Sequence, residues 1–142
     1  MRISRDEYFM QLAETTAKRS PCLSRQVGCV LVNERYQVLS TGYNGPPSGM
    51  AHCETCARLV SGRDLYSCNA VHAEMNALLQ CADVFKVHTT YVTISPCAIC
   101  ARILRNTSCS LVIYRQPYAD IEQVQLIFSG ELRSLQQIKI MV

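Results

Sequence analysis

The run Thr89-Thr90-Tyr91-Val92-Thr93-Ile94-Ser95-Pro96-Cys97-Ala98-Ile99-Cys100-Ala101-Arg102-Ile103-Leu104-Arg105 decides the fold. Every residue from Thr89 to Ile94 is β-branched or aromatic, which predicts a strand. Pro96 suits the opening of a helix, and Ala98 to Arg105 reads as that helix. Upstream, Ala70 to Ala82 is rich in helix formers, with apolar positions 71, 75, 78, 79 and 82 on one side. Downstream, Leu111 to Tyr114 reads as another strand. Alternating elements of this length build parallel strand pairs covered by helices, so the expected fold class is a three-layer α/β domain.

Working outward, Val27 to Val32 and Val38 to Thr41 read as antiparallel strands joined by the hairpin-length Asn33-Glu34-Arg35-Tyr36. Ser4-Arg5-Asp6-Glu7 has the form of a capping box, predicting a first helix that runs to about Arg19 before Pro21, with Tyr8, Leu12, Thr15 and Thr16 beside Phe9 and Ala13. Gly42 to Asn69 is turn-rich and polar. Asp120 to Phe128 suggests a third covering helix, and Ile138 to Val142 a last strand or ordered tail. No internal repeat or low-complexity segment interrupts this order.

The chain has 142 residues, 49% hydrophobic and 18% charged, enough for one substantial core, so residues 1–142 are expected to form a single domain with a Cys-rich insertion at about 46–69. No run approaches the roughly 20 apolar residues of a membrane helix, and the polar N-terminus lacks a secretory stretch, so no membrane partner and a cytoplasmic location are expected. The net charge of +3 is dispersed and argues for no nucleic-acid partner. Nine cysteines stand out. In a reducing compartment, paired cysteines point to metal binding more than to disulfides.

His72-Ala73-Glu74 lies at the start of one helix and Pro96-Cys97-Ala98-Ile99-Cys100 at the start of the next. One imidazole and two thiolates suit Zn²⁺ and leave a fourth tetrahedral position for water. Helix N-termini favour the thiolate form. Glu74, outside the ligand set, is placed to carry a proton from the water to a leaving nitrogen. The competing reading closes a structural site with His72, Cys97, Cys100 and a further cysteine, leaving Glu74 solvated.

H-x-E followed by P-C-x-x-C is the signature of zinc nucleobase deaminases. With Gln26-Val27-Gly28, Gly42-Tyr43-Asn44-Gly45, His72-Ala73-Glu74-Met75-Asn76-Ala77 and Tyr91-Val92-Thr93-Ile94-Ser95-Pro96-Cys97, the chain resembles the deoxycytidylate (dCMP) deaminases, in particular phage and viral members, over about residues 20–118. The resemblance implies a cytidine-deaminase-like α/β/α fold with a mixed sheet of about five strands. It implies hydrolysis of dCMP to dUMP and ammonia, supplying dUMP for thymidylate synthesis, with attack at C4 of the ring and Glu74 protonating N3 and then the amine.

The same likeness makes Asn44 a contact for a sugar hydroxyl, although Asn before Gly is also a good turn residue. It places the Ala73 backbone and Ser95 at the base edge and Tyr118 over the substrate, where a packed tyrosine is the plainer alternative. Ser24 and Arg25 are the nearest basic, hydroxyl-bearing candidates for the phosphate; a solvated arginine is the plainer reading of Arg25. Relatives are often hexamers, activated by dCTP and inhibited by dTTP with Mg²⁺ through a site near Gly42, Tyr43, Asn44 and Gly45. Gln80 and Asp83 depart from some viral relatives, which carry an aromatic residue and an arginine there, and dCTP remains open as a substrate.

Cys53-Glu54-Thr55-Cys56 is another C-x-x-C, and Cys22 and Cys68 flank it in loops. Four thiolates would close a structural zinc site, with His52 as reserve ligand. Some viral relatives hold a second zinc with cysteines at the positions of Cys22 and Cys53, whereas Ala70 stands where one has a carboxylate. Cys29, Cys81 and Cys109 fit core positions. Two alternatives stand beside dCMP deamination. A tRNA adenosine deaminase shares the motif but needs a strongly basic face. A non-enzymatic double-zinc interaction module would have no use for Glu74.

Overall fold

The computed structural model describes residues 1–56 and 68–139. Among these, α1 (Arg5–Ala17) is followed by β1 (Gly28–Val32), β2 (Val38–Tyr43), α2 (Ala73–Gln80), a 3-10 turn (Val84–Lys86), β3 (Thr89–Ile94), α3 (Ala98–Arg105), β4 (Leu111–Gln116), α4 (Ile121–Ile127) and β5 (Ser134–Gln137). The strands form one mixed sheet in the order β2-β1-β3-β4-β5. β1 pairs antiparallel with β2 and with β3, while β3–β4 and β4–β5 are parallel. Half of the expected Cys-rich insertion, residues 57–67, lies outside the described residues; residues 46–56, 68 and 69 contain neither helix nor strand.

Alternation along the strands splits the core in two. Val30, Val32, Tyr91 and Ile113 face α1, where they pack on Phe9, Met10 and Ala13. Cys29, Leu31, Val92, Val112 and Tyr114 face the other way, onto Ala73 and Ala77 of α2, Ala101 and Leu104 of α3, and Val124 of α4. These are the three layers. Two glycines let helices approach the sheet closely. A Cβ on Gly28 would lie 1.9 Å from the Ala13 carbonyl oxygen, and one on Gly42 would lie 2.3 Å from the Ala77 amide nitrogen.

β3 and α3 have the bounds that their sequence predicts. α2 differs in its buried face. The apolar stripe at 71, 75, 78, 79 and 82 is not the core: Ala73, Glu74 and Ala77 are buried, and Leu79 is exposed. Contact with Gly42 selects small residues, so the inward face carries almost no hydrophobic signal. Val71 forms an isolated antiparallel bridge with Gly45 and stays outside the helix.

The capping box forms only in part. Ser4 Oγ accepts from the Glu7 amide at 3.1 Å, but the Glu7 carboxylate turns away from Ser4 to pair with Arg115. α1 stops four residues before Pro21, and its buried residues are Glu7, Phe9, Met10, Ala13 and Ala17, with Tyr8 exposed. The last strand lies earlier than expected: β5 is Ser134–Gln137, an edge strand whose residues are mostly exposed, and residues 140–142 of the expected segment lie outside the described residues. Ile138 donates its amide to the Tyr114 carbonyl at 2.8 Å and packs on the α1 side.

Candidate active site

The starts of α2 and α3 meet at the end of the sheet where parallel β3 and β4 terminate, the usual place for a site in such sheets. The bridge between Val71 and Gly45, with amide-to-carbonyl distances of 2.7 and 3.2 Å, fixes the approach to α2. His72 is the N-cap residue of α2 but makes no side-chain cap bond. Its Nδ1 lies 3.4 Å from Cys97 Sγ and 3.3 Å from Cys100 Sγ. Edges of about 3.5 Å between nitrogen and sulfur are what tetrahedral zinc bonds of ordinary length require, so the three donors fit that ion.

The donor chemistry fits as well. Cys97 is the N-cap residue of α3, with Sγ accepting from the Cys100 amide at 3.5 Å. The hydrogen bond from the Cys100 thiol, helped by His72, holds the Cys97 thiol down at about 4. The same bond and burial push Cys100 up. The pair therefore shares one proton, which binding of a divalent cation would expel. Glu74 is buried beside this group, and burial, reinforced by the Cys97 charge and opposed by its own backbone hydrogen bond and His72, pushes its carboxyl up to about 7. A cation next to it would pull that value down.

A pocket of about 700 Å³, counting its open mouth, is lined by His72, Glu74 and Cys97 together with Ser24, Arg25, Asn44, Ala73, Ser95 and Tyr118. The sequence-expected substrate residues thus surround one cavity. Ala73 is the first residue of α2, so its amide has no acceptor within the helix. Ser95 Oγ accepts from the Tyr118 amide at 2.7 Å. The Arg25 guanidinium sits 4.8 Å from the centre of the Tyr118 ring, a cation–π contact at the mouth.

Asn44 has a structural task that its turn position did not announce. Its Oδ1 accepts from the Val27 amide at 2.8 Å and its Nδ2 donates to the Arg25 carbonyl at 2.9 Å. It therefore holds the segment that carries Arg25. The other members of its loop are accounted for by packing and backbone bonds: Gly42 touches α2, the Tyr43 carbonyl accepts from Asn76 Nδ2 at 2.8 Å, and Gly45 bridges to Val71.

Two residues escaped sequence reasoning. Ser20 is buried and donates to the Asn44 carbonyl at 2.8 Å. Asp120 is the N-cap residue of α4 but makes no side-chain bond to its own helix; its Oδ2 accepts instead from the Ala98 amide of α3 at 3.1 Å. An Asp before a helix reads locally as that helix's cap, so no sequence signal distinguishes it.

The second cysteine set is looser. Among the described residues, His72, Cys97 and Cys100 are the group whose ligand atoms all lie within 4.8 Å of one another. Cys22 and Cys68 line the pocket, and Cys68 Sγ accepts from the Ala70 amide at 3.5 Å. Burial pushes the Cys22 thiol up, and Cys68, Cys53 and Cys56 add to the shift by their charge, so all three lie within electrostatic reach of it. His52 and Cys53 are exposed. Cys29 and Cys109 are fully buried core residues, whereas Cys81, at the end of α2, is only partly buried.

No helix among the described residues is long and apolar enough to cross a membrane. The chain is 43% identical over 124 residues to a deoxycytidylate deaminase of Saccharomyces cerevisiae, covering 83% of this chain but only 39% of the yeast protein. It is 43% identical over 119 residues to the deoxycytidylate deaminase of a Mycobacterium phage, covering 77% of this chain and 92% of the relative. The crystal structure of dCMP deaminase from the cyanophage S-TIM5 in complex with dCMP and dUMP superposes with a TM-score of 0.76, at 25% identity and 99% coverage of both chains. The signature described as the cytidine and deoxycytidylate deaminase zinc-binding region matches residues 3–116, and with the His72, Cys97, Cys100 and Glu74 geometry at its centre the chain belongs to that family.

Proposed function

We propose that the protein catalyses hydrolytic deamination of dCMP, in which water and dCMP give dUMP and ammonia. The observation that carries this reading is the buried Glu74 carboxyl against the His72, Cys97 and Cys100 donors, inside a pocket with a guanidinium at its mouth. The deoxycytidylate deaminases at 43% identity, and the dCMP and dUMP complex of the cyanophage enzyme, support this substrate. His72, Cys97 and Cys100 would hold Zn²⁺, which when bound supplies a nucleophile from water at neutral pH.

Glu74 takes one proton from the attacking water and gives it to ring N3, then takes the second from the hydroxyl formed at C4 and gives it to the departing amine as the C4–N bond breaks. Burial raises this carboxyl's affinity for a proton, which opposes the downward pull of a bound cation and suits it to transfer in both directions. The Ala73 amide and Ser95 orient the base edge. Arg25 and Ser24 receive the phosphate, with Tyr118 closing beside it and Asn44 holding the Arg25 segment and contacting the sugar.

The second cysteine set, Cys22, Cys53, Cys56 and Cys68, holds a structural zinc beside the pocket; the placement of Cys22 and Cys68 together on the pocket wall supports it. Assembly into a homo-oligomer is supported by Ile99 and Ile103, exposed one turn apart on α3. Control by dCTP and dTTP with Mg²⁺ through Gly42 to Gly45 follows from the same family reading.

The test compares wild type with Glu74→Gln on dCMP, dCTP, deoxycytidine and an adenosine-containing RNA stem-loop, each with and without dCTP or dTTP. Wild type is expected to release ammonia fastest from dCMP, and the variant to retain its zinc and fold while losing about 10³-fold in turnover. Undiminished turnover would remove Glu74 as proton carrier, and preference for the RNA would move the assignment to a tRNA adenosine deaminase.

A further inference from the structure

The segment between β4 and α4 carries Tyr118 to the pocket mouth, and two side-chain hydrogen bonds hold it. Ser95 Oγ accepts from the Tyr118 amide at 2.7 Å, and Asp120 Oδ2 accepts from the Ala98 amide at 3.1 Å. Ser95 and Ala98 stand on either side of Pro96 and Cys97 in sequence. The segment is therefore fastened to the chain on both sides of a metal-ligand position. Asp120 begins α4 yet leaves its own helix uncapped by its side chain, and the helix start uses its backbone carbonyl instead, which accepts from Gln123 at 3.0 Å and Val124 at 3.2 Å.

The other carboxylate oxygen of Asp120, Oδ1, is buried with no hydrogen-bond partner among the described residues. A buried acceptor without a partner is costly. The carboxylate thus gives up both its own cap and the solvation of one oxygen for a single bond to the first amide of α3. A side chain serving only local helix stability would do neither.

We propose that Asp120 is a positioning residue for substrate: its bond to Ala98 fixes Tyr118, and through the Tyr118 ring the Arg25 guanidinium, at the mouth of the pocket. Asp120 belongs neither to the lining of the pocket nor to the donor group. It sets the register between the ligand-bearing helix α3 and the wall that receives the nucleotide. Loss of the carboxylate removes one of the two side-chain bonds that tie this segment to the β3–α3 connection and keeps the Tyr118 amide bond to Ser95, so that Tyr118 and Arg25 then lose their fixed distance to His72 and Cys97.

The kinetic arm of the test rests on the dCMP reading, and the exchange arm does not. Asp120→Ala is expected to raise KM for dCMP about tenfold, with kcat within threefold of wild type and zinc content unchanged. In the same variant, amide hydrogen exchange should accelerate at Tyr118 as well as at Ala98. Acceleration at Tyr118 is the distinguishing readout, because that amide donates to Ser95 and not to Asp120. Asp120→Asn keeps an oxygen acceptor for Ala98 and should restore both KM and Tyr118 protection to within about threefold of wild type.

Unchanged Tyr118 exchange in Asp120→Ala, or an unchanged KM accompanied only by a lower melting temperature, would overturn the proposal and leave a plain stabilising cap. If Asp120→Ala does not fold, Tyr118 exchange faster in Asp120→Asn by more than threefold would equally count against it. Absence of dCMP turnover in wild type would strike the assigned reaction, while Tyr118 exchange would still decide the role of Asp120.

Discussion

Glu7 of α1 and Arg115 of β4 stand 108 positions apart in sequence and meet inside the protein as a two-point ion pair, Nη1 to Oε2 at 3.1 Å and Nη2 to Oε1 at 2.9 Å. Both side chains are about 5% exposed. Arg115 also reaches Glu14 and donates to the Lys139 carbonyl at 3.0 Å, so one guanidinium ties α1, β4 and the chain after β5 together. Its hydrogen bonds to Glu7, aided by Gln11 and opposed by burial, hold the Glu7 carboxyl below its ordinary value of 4.5. Breaking a buried pair from one side strands the other charge, so Glu7→Gln should destabilise the fold by about 3 kcal/mol at neutral pH. Because folding lowers this pKa, the advantage of wild type is fully present above pH 4.5 and shrinks as pH falls through the folded value. Urea unfolding of both proteins at pH 7 and pH 3 measures this; a gap that is equal or wider at pH 3 would contradict it.

Gly42 and Ala77 place β2 and α2 closer than any side chain allows. A Cβ on Gly42 would also lie 2.4 Å from the Ala73 carbonyl oxygen, so the obstruction is helix backbone and cannot rotate away. Gly42→Ala should cost about 2 kcal/mol by overpacking. It should also reduce turnover, because the helix that must move carries His72 and Glu74 at its start. Gly45→Ala is the control: its Cβ would meet only the Pro21 ring edge at 3.2 Å, and about 1 kcal/mol or less is expected. Equal losses in denaturant unfolding for the two variants would show that the close approach is not what fixes α2.

The metal donors were legible because three ligands and a carboxylate fall into two short motifs at the starts of helices, and the β3 to α3 run has sharp strand and helix chemistry. What was not legible depends on pairings far apart in the chain. Glu7 has a local use at Ser4, and only the fold brings it Arg115, whose charged bidentate bonds are the stronger. The inward face of α2 is small and polar because Gly42 faces it, so hydrophobic periodicity pointed to the wrong side. β5 is an exposed edge whose Ser134, Gln136 and Gln137 carry no apolar alternation. Asp120 reads as a cap for the helix it does not cap. Asn44 was legible as a loop residue, but its bonds to Val27 and Arg25 required the hairpin to be folded first.

Cys22 and Cys68 stand on the wall of the catalytic pocket, and Cys53 and Cys56 lie within electrostatic reach of Cys22. A second zinc on these four thiols is expected to draw them to bonding distance, since each sulfur must come within about 2.3 Å of the ion. Elemental analysis of wild type should then give two zinc per chain. Cys53→Ser should lower the content to one and reduce the melting temperature by about 5 °C, because binding energy at a structural site is folding energy. Its effect on catalysis should fall on KM more than on kcat, since His72, Cys97, Cys100 and Glu74 keep their own geometry while the wall formed by Cys22 and Cys68 loosens. Well-folded wild type with a single zinc would remove the second site, and Cys53→Ser with two zinc per chain would move it to another ligand, His52 being the nearest reserve in sequence.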